Sequence, residues 1–213
     1  MHGLLLAFVA SLLLGMRHAT DADHIVAVTT IVSRERSVWK AGGIGALWGV
    51  GHTLTIFLVG GAIILFKVAF SARLGLWMEL TVAIMLVVLG LLNLFNVQTK
   101  PSALSTMRPL FVGIVHGLAG SAAATLLILP LIDDPRWAVL YLVVFGFGTT
   151  VGMASITLAI AAPSVLASAR VASMQHSLRV VSGAVSLLFG VYLAHKIGFT
   201  DGLFLGDPRW TPR

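Results

Sequence analysis

Arg17-His18-Ala19-Thr20-Asp21-Ala22-Asp23-His24 decides the reading of this chain. Its ionisable side chains stand inside an otherwise apolar segment running from Gly3 to Val32. The lead-in from Gly3 to Met16 rises about 21 Å as a helix, short of a hydrocarbon core of about 30 Å. Ile25-Val26-Ala27-Val28 resumes the apolar run at once, so the helix carries the polar cluster into the membrane. A carboxylate or imidazole at that depth is costly without a partner, which marks the cluster as a functional site. Two histidines and two aspartates are also donors that suit a first-row divalent metal.

Outward from that cluster, the composition agrees. The 213 residues are 58% hydrophobic and 10% charged, with a mean hydropathy of +0.99. Soluble globular domains do not have that composition, so the chain reads as an all-α polytopic membrane protein, one transmembrane domain over residues 1–213. The net charge of +6 does not indicate a nucleic-acid partner. Its basic residues are scattered through short connections, as the positive-inside bias requires, with no basic run interleaved with aromatics. The absence of cysteine excludes disulfides, thiolate metal sites and Fe–S ligation. The N-terminus has neither a basic n-region nor a small-residue cleavage site, and reads as a retained helix.

Hydropathy and turn signals predict six spans. The first is the Gly3–Val32 segment; the others cover about 41–66, 76–97, 109–132, 137–162 and 180–197. Pro109 reads as a first helical residue, 163–179 as a connection along the interface, and 198–213 as a polar tail. Glu79 is expected at the interface near a helix N-terminus, Asn93 as an interhelical hydrogen bonder. Basic residues after spans 1, 3 and 5 slightly outnumber those on the other side, which favours both termini outside.

The halves resemble each other. Gly15-Met16-Arg17-His18 matches Gly113-Ile114-Val115-His116, Gly49 to Thr53 matches Gly146 to Thr150, and Gly90 matches Gly190. All three pairings share an offset of about one hundred residues, as a duplicated unit would. Three spans per unit (about 1–97 and 109–197) force the second copy to enter from the opposite side. That is an inverted repeat, with a binding site expected near the midplane. Small residues spaced by four at Gly45 and Gly49, at Gly113, Gly117 and Ser121, and at Gly148 and Gly152 predict close helix crossings. Thr149 and Thr150 are assigned to packing.

In a regular helix His18, Asp21 and His24 share a broad face, but the two imidazoles lie about 9 Å apart along the axis. One metal with bonds near 2 Å cannot take both. Either the helix unwinds around 19–23, or the metal visits two stations. Unwinding would let Asp23 join His24. Arg17, four residues before Asp21, is placed to pair with it. His52, between Gly51 and Thr53, reads as a ligand or gate. His116 stands at the repeat-equivalent place of His18, and His2 could chelate a tetragonal ion with the terminal amine and its adjacent amide. His176 and His195 are expected to be solvated or interfacial.

With these residues in view, Arg17-His18-Ala19-Thr20-Asp21-Ala22-Asp23-His24-Ile25 is similar to the signature helix of the nickel/cobalt transporter family. Gly51-His52-Thr53 resembles the histidine motif of its next helix. Gly113 to Ser121 and Gly146 to Gly152 resemble later motifs of its shorter, urease-associated branch. The resemblance implies a permease of a bacterial or archaeal inner membrane taking up Ni²⁺ or Co²⁺, with His18, Asp23, His24 and His52 at the matching functional positions. Larger members carry a span before the signature helix and an acidic motif where this chain is neutral around His116. The implied partners are the metal ion and membrane lipid, with no resident cofactor and no catalysis; the oligomeric state is not legible. An exporter or a permease for another divalent cation stays open. A membrane metalloenzyme is disfavoured because no His-Glu-x-x-His occurs.

Overall fold

The computed structural model describes residues 2–66, 71–97, 103–118, 132, 134–170 and 174–210. Among them the regular structure is entirely helical: α1 (His2–His18), α2 (Ala22–Val32), α3 (Val38–Phe66), α4 (Ala72–Leu94), α5 (Ala103–Gly117), α6 (Pro135–Arg170) and α7 (Met174–His195). A π-helical turn, Lys196–Thr200, follows α7. Four stretches are long and apolar enough to cross a membrane: Val38–Phe66, Ala72–Leu94, Pro135–Val165 and Met174–Thr200. Their outer faces present Leu58, Leu65, Ile84 and Leu188, fully consistent with a lipid surround, and the protein is a multi-pass membrane protein.

The expected first span is two helices. α1 stops at His18, and Ala19–Asp21 forms a turn held by Thr20 N–H to the Arg17 carbonyl (2.8 Å) and Asp21 N–H to the His18 carbonyl (3.1 Å). The Thr20 hydroxyl donates to the same Arg17 carbonyl at 2.6 Å, so the turn satisfies groups the helix has released. α1 and α2 still run together along α6. The Ser11 hydroxyl donates to the Tyr141 carbonyl at 3.1 Å near the start of α6, while Gly152, further along, lies against Met16 and Ala19.

Other boundaries also differ from the expectation. α5 begins at Ala103, with Pro109 inside it, because Ala103 to Arg108 contains no glycine or proline to stop the helix; residues 119–131, including Ser121, lie outside the described residues. The expected connection from Pro163 is helical to Arg170. The Ser164 hydroxyl beside the proline donates to the Ala161 carbonyl at 2.9 Å. Glu79 has a partner inside the protein. It is buried in the second turn of α4 and accepts from Trp210 Nε1 at 3.0 Å, because the tail folds back and lays Trp210 against Gly75. Asn93 does bridge helices as expected: its amide donates to the Thr30 carbonyl at 2.8 Å and its oxygen accepts from Arg34 Nε at 3.1 Å.

The close crossings occur in matched pairs. A Cβ on Gly15 would strike the Phe145 carbonyl, and one on Gly113 the Trp48 carbonyl; Gly148 meets the Leu12 carbonyl as Gly51 meets that of Leu110. Thus α1 packs on α6 in the way α5 packs on α3. Gly49 lies against Thr150 while Gly146 lies against Thr53, and the two threonine hydroxyls meet at 3.1 Å. Gly90 lies against Leu187 and Gly190 against Val87. In each reciprocal pair the earlier residue of one helix faces the later residue of the other, so α3 and α6 are antiparallel, as are α4 and α7.

At one end of the bundle stand Arg34, Arg108 and Arg179. Arg34 and Arg179 both donate to the Asn93 carbonyl at the C-terminus of α4, where a cation is favoured. Burial first, and then the neighbouring Arg179 and Arg108, hold the Arg34 guanidinium below its usual value.

Candidate metal centre

The break after His18 solves the spacing problem. With the chain turned at 19–21, His18 ends α1 and His24 enters the first full turn of α2, and their rings meet edge to face at 4.6 Å between centroids. His52, in the middle of α3, approaches from a second side: its Nε2 is 3.0 Å from His18 Nε2, and its ring centroid is 5.1 Å from that of His24. His116, at the end of α5, closes a third side, 4.1 Å from the His24 ring. All four imidazoles are buried. The glycines on either side of the α3–α5 crossing are what let the backbones carrying His52 and His116 approach this closely.

Two carboxylates orient the rings. Asp21 is the residue before α2, with extended backbone, yet its side chain does not cap that helix. It pairs instead with His18 Nδ1 at 2.9 Å. Arg17, the expected partner of Asp21, is exposed, because ending the helix at His18 removes the register that would have stacked the two. Asp23 reaches two histidines, with Oδ1 at 3.0 Å from His24 Nδ1 and Oδ2 at 3.0 Å from His116 Nε2.

A carboxylate fixed to one imidazole nitrogen keeps the proton there and turns the other nitrogen's lone pair outward, the arrangement used behind metal-bound histidines. Among the described residues His24 Nε2, His52 Nδ1 and His116 Nδ1 are buried without a hydrogen-bond partner. Two groups of three side chains bring possible ligand atoms within 4.8 Å of one another, His18–His24–His52 and Asp23–His24–His116; in the second the close approaches are the Asp23 contacts to His24 Nδ1 and His116 Nε2. Nitrogen donors with a carboxylate suit nickel, cobalt or zinc better than calcium or magnesium. The two carboxylates also balance the charge of one dication in a region of low dielectric.

Of the residues singled out from sequence, His18, Asp21, Asp23, His24, His52 and His116 converge here. The His2 side chain lies outside the described residues. His176 and His195 are exposed and remote from the cluster, as expected. Thr149 and Thr150 donate to the Phe145 and Gly146 carbonyls of their own helix, in keeping with packing. Two walls of the site were not foreseen. Trp48 is buried 5.6 Å from His24 and 5.3 Å from His116, and Phe145 lies 5.8 Å from His18. The available signal was position: Trp48 is four residues before His52, hence on its helix face.

The chain is 34% identical over 209 residues to the urease accessory protein UreH of Bacillus sp. (strain TB-90), covering 90% of this chain and 91% of that protein. No protein-family model and no solved structure matches it. Similarity of that extent identifies the lineage: the chain belongs to the nickel/cobalt transporter family, in its urease-associated branch.

Proposed function

We propose that this protein is a permease that takes Ni²⁺, or Co²⁺, into the cell through the buried His/Asp cluster. The observation that carries the reading is the convergence of four buried imidazoles on a break between two helices, with unpaired ring nitrogens turned inward. A broken helix at a midplane site is a transporter device, because released backbone and side chains there can replace an ion's hydration shell. The relative's role as a urease accessory protein fits nickel, the metal an accessory protein of that kind would supply. His18, His24, His52 and His116 serve as nitrogen donors. Asp21 and Asp23 hold three of those rings in place and neutralise the ion.

The architecture is read as the six-span inverted repeat expected from the sequence, with α1 and α2 together making one crossing. The paired glycine crossings and the antiparallel course of equivalent helices support a two-fold axis perpendicular to the helices, hence in the membrane plane. The arginine-rich end faces the cytoplasm of an inner membrane and both termini face outward, supported by Arg34 and Arg36 on the connection after α2 and by Arg108 and Arg179 near the starts of α5 and α7.

Uptake of Ni²⁺ by proteoliposomes containing the purified protein tests the function. Saturable accumulation that Co²⁺ inhibits and that His24→Ala lacks is the expected result. Accumulation no greater than in empty vesicles overturns it.

A further inference from the structure

We propose that the ion passes between two stations that share His24, so that the chain holds one ion at a time and hands it across a single imidazole. This rests on the permease reading and goes beyond it by assigning an order of contacts inside the site. One station is His18, His24 and His52; the other is Asp23, His24 and His116. His24 is the common member, with its Nδ1 on the Asp23 side and its Nε2 unpaired. An ion moving from the first station to the second exchanges His18 and His52 for Asp23 and His116, and Asp23 then releases the ring nitrogens it holds, His24 Nδ1 and His116 Nε2, which lose their protons to the solvent as the metal binds.

The duplicated packing supports the pairing of stations. His18 ends α1 and is backed by the Phe145 ring of α6; His116 ends α5 and is backed by the Trp48 ring of α3. Gly15 against the Phe145 carbonyl and Gly113 against that of Trp48 repeat the same relation at the backbone. Each half of the chain therefore supplies one terminal histidine in the same setting, His18 to one station and His116 to the other. Repulsion between two dications a ring apart at low dielectric opposes occupation of both at once.

Bond lengths near 2.1 Å place donors about 3.4 Å apart around a tetrahedral ion, so each set needs only a small contraction to close on the metal. The stations differ chemically, three imidazoles in one and two imidazoles with a carboxylate in the other. That difference is readable in the d–d absorption of bound Co²⁺, which follows donor type and geometry.

The experiment measures Ni²⁺ stoichiometry and affinity by calorimetry, Co²⁺ absorption, and Ni²⁺ uptake in proteoliposomes, for the unaltered chain and for His18→Ala, His116→Gln and His24→Ala. One ion per unaltered chain is expected. Loss of one station should weaken binding about tenfold or less and uptake by more than about tenfold, whereas His24→Ala should weaken binding at least about 100-fold. The Co²⁺ spectra of His18→Ala and His116→Gln should differ, each reporting the surviving station. Two ions per unaltered chain, His18→Ala as deficient in binding as His24→Ala, or His116→Gln transporting at the unaltered rate overturns the stations while leaving the permease reading intact. The stoichiometry needs no variant, so a poorly folded mutant does not remove the test. An unaltered chain that neither binds nor accumulates Ni²⁺ overturns the permease reading and the stations together.

Discussion

The Asp21 carboxylate lies 2.9 Å from His18 Nδ1, turned back across the break and away from the helix it precedes. An aspartate at that position ordinarily caps the following helix. Here the capping bond is given up to hold an imidazole. Asp21→Asn should therefore lower metal affinity about tenfold, in the range of lost ring-orienting partners, while leaving protein levels near normal. Arg17→Gln should change neither, since the guanidinium is exposed, and should not rescue Asp21→Asn. Calorimetry and quantified expression of the three variants check this. Rescue by the double change would mean that the two side chains do pair.

His24 and Asp23 should be the most sensitive positions. His24→Ala removes a ring common to both donor sets, and uptake per folded molecule should fall at least about 100-fold. Asp23→Asn keeps the shape but removes the charge and one of the two acceptors serving His24 and His116, so it should fall nearly as far. Size-exclusion profiles establish that the proteins remain folded. Near-normal transport by either variant would contradict the assignment.

Acid should weaken binding. A metal takes the neutral imidazole, so protons compete with it increasingly as pH falls. The sign is fixed: affinity for Ni²⁺ is higher at about pH 7.5 than at about 5.5, and binding releases protons. Titrations in buffers of different ionisation enthalpy would detect that release. A pH-independent affinity would point to a site without histidine ligands.

The glycine crossings should respond as twins. A side chain at Gly15 meets the Phe145 carbonyl, and one at Gly113 the Trp48 carbonyl, and backbone cannot step aside cheaply. Gly15→Val and Gly113→Val should each destabilise by about 1–3 kcal/mol or more, as overpacking does. Gly43→Ala, with open space around it, should be neutral or gain about 0.5–1 kcal/mol from helix propensity. Thermal unfolding of the purified proteins in detergent provides the comparison.

Topology is open to direct labelling, because the chain contains no cysteine. Ser37→Cys and Asp207→Cys should react with an impermeant thiol reagent from opposite sides of the membrane, Ser37→Cys from the cytoplasmic side. Labelling of both from one side would rule out the inverted arrangement.

Much of this protein is written locally. Long apolar runs in Val38–Phe66 or Ala72–Leu94 can be stable only as helices surrounded by lipid, since no other structure satisfies their backbone there. The ionisable residues from Arg17 to His24 stand out against that background for the same reason, and the matched glycines betray the duplication because only glycine allows such close backbone approach. Tertiary structure decided what those residues do to one another. Whether Asp21 answers Arg17 or His18 depends on a turn at 19–21 that its neighbours on α3 and α6 make worthwhile, and propensity along α1 does not contain it. The partner of Glu79, Trp210, is more than a hundred residues away and cannot be read from the helix that carries the carboxylate. Trp48 and Phe145 looked like ordinary apolar residues until the crossings of α3 with α5 and of α1 with α6 set them against His116 and His18. Side-chain type and spacing are local properties and can be read from the chain, whereas the partner of a buried charge or ring is set by packing between segments distant in sequence.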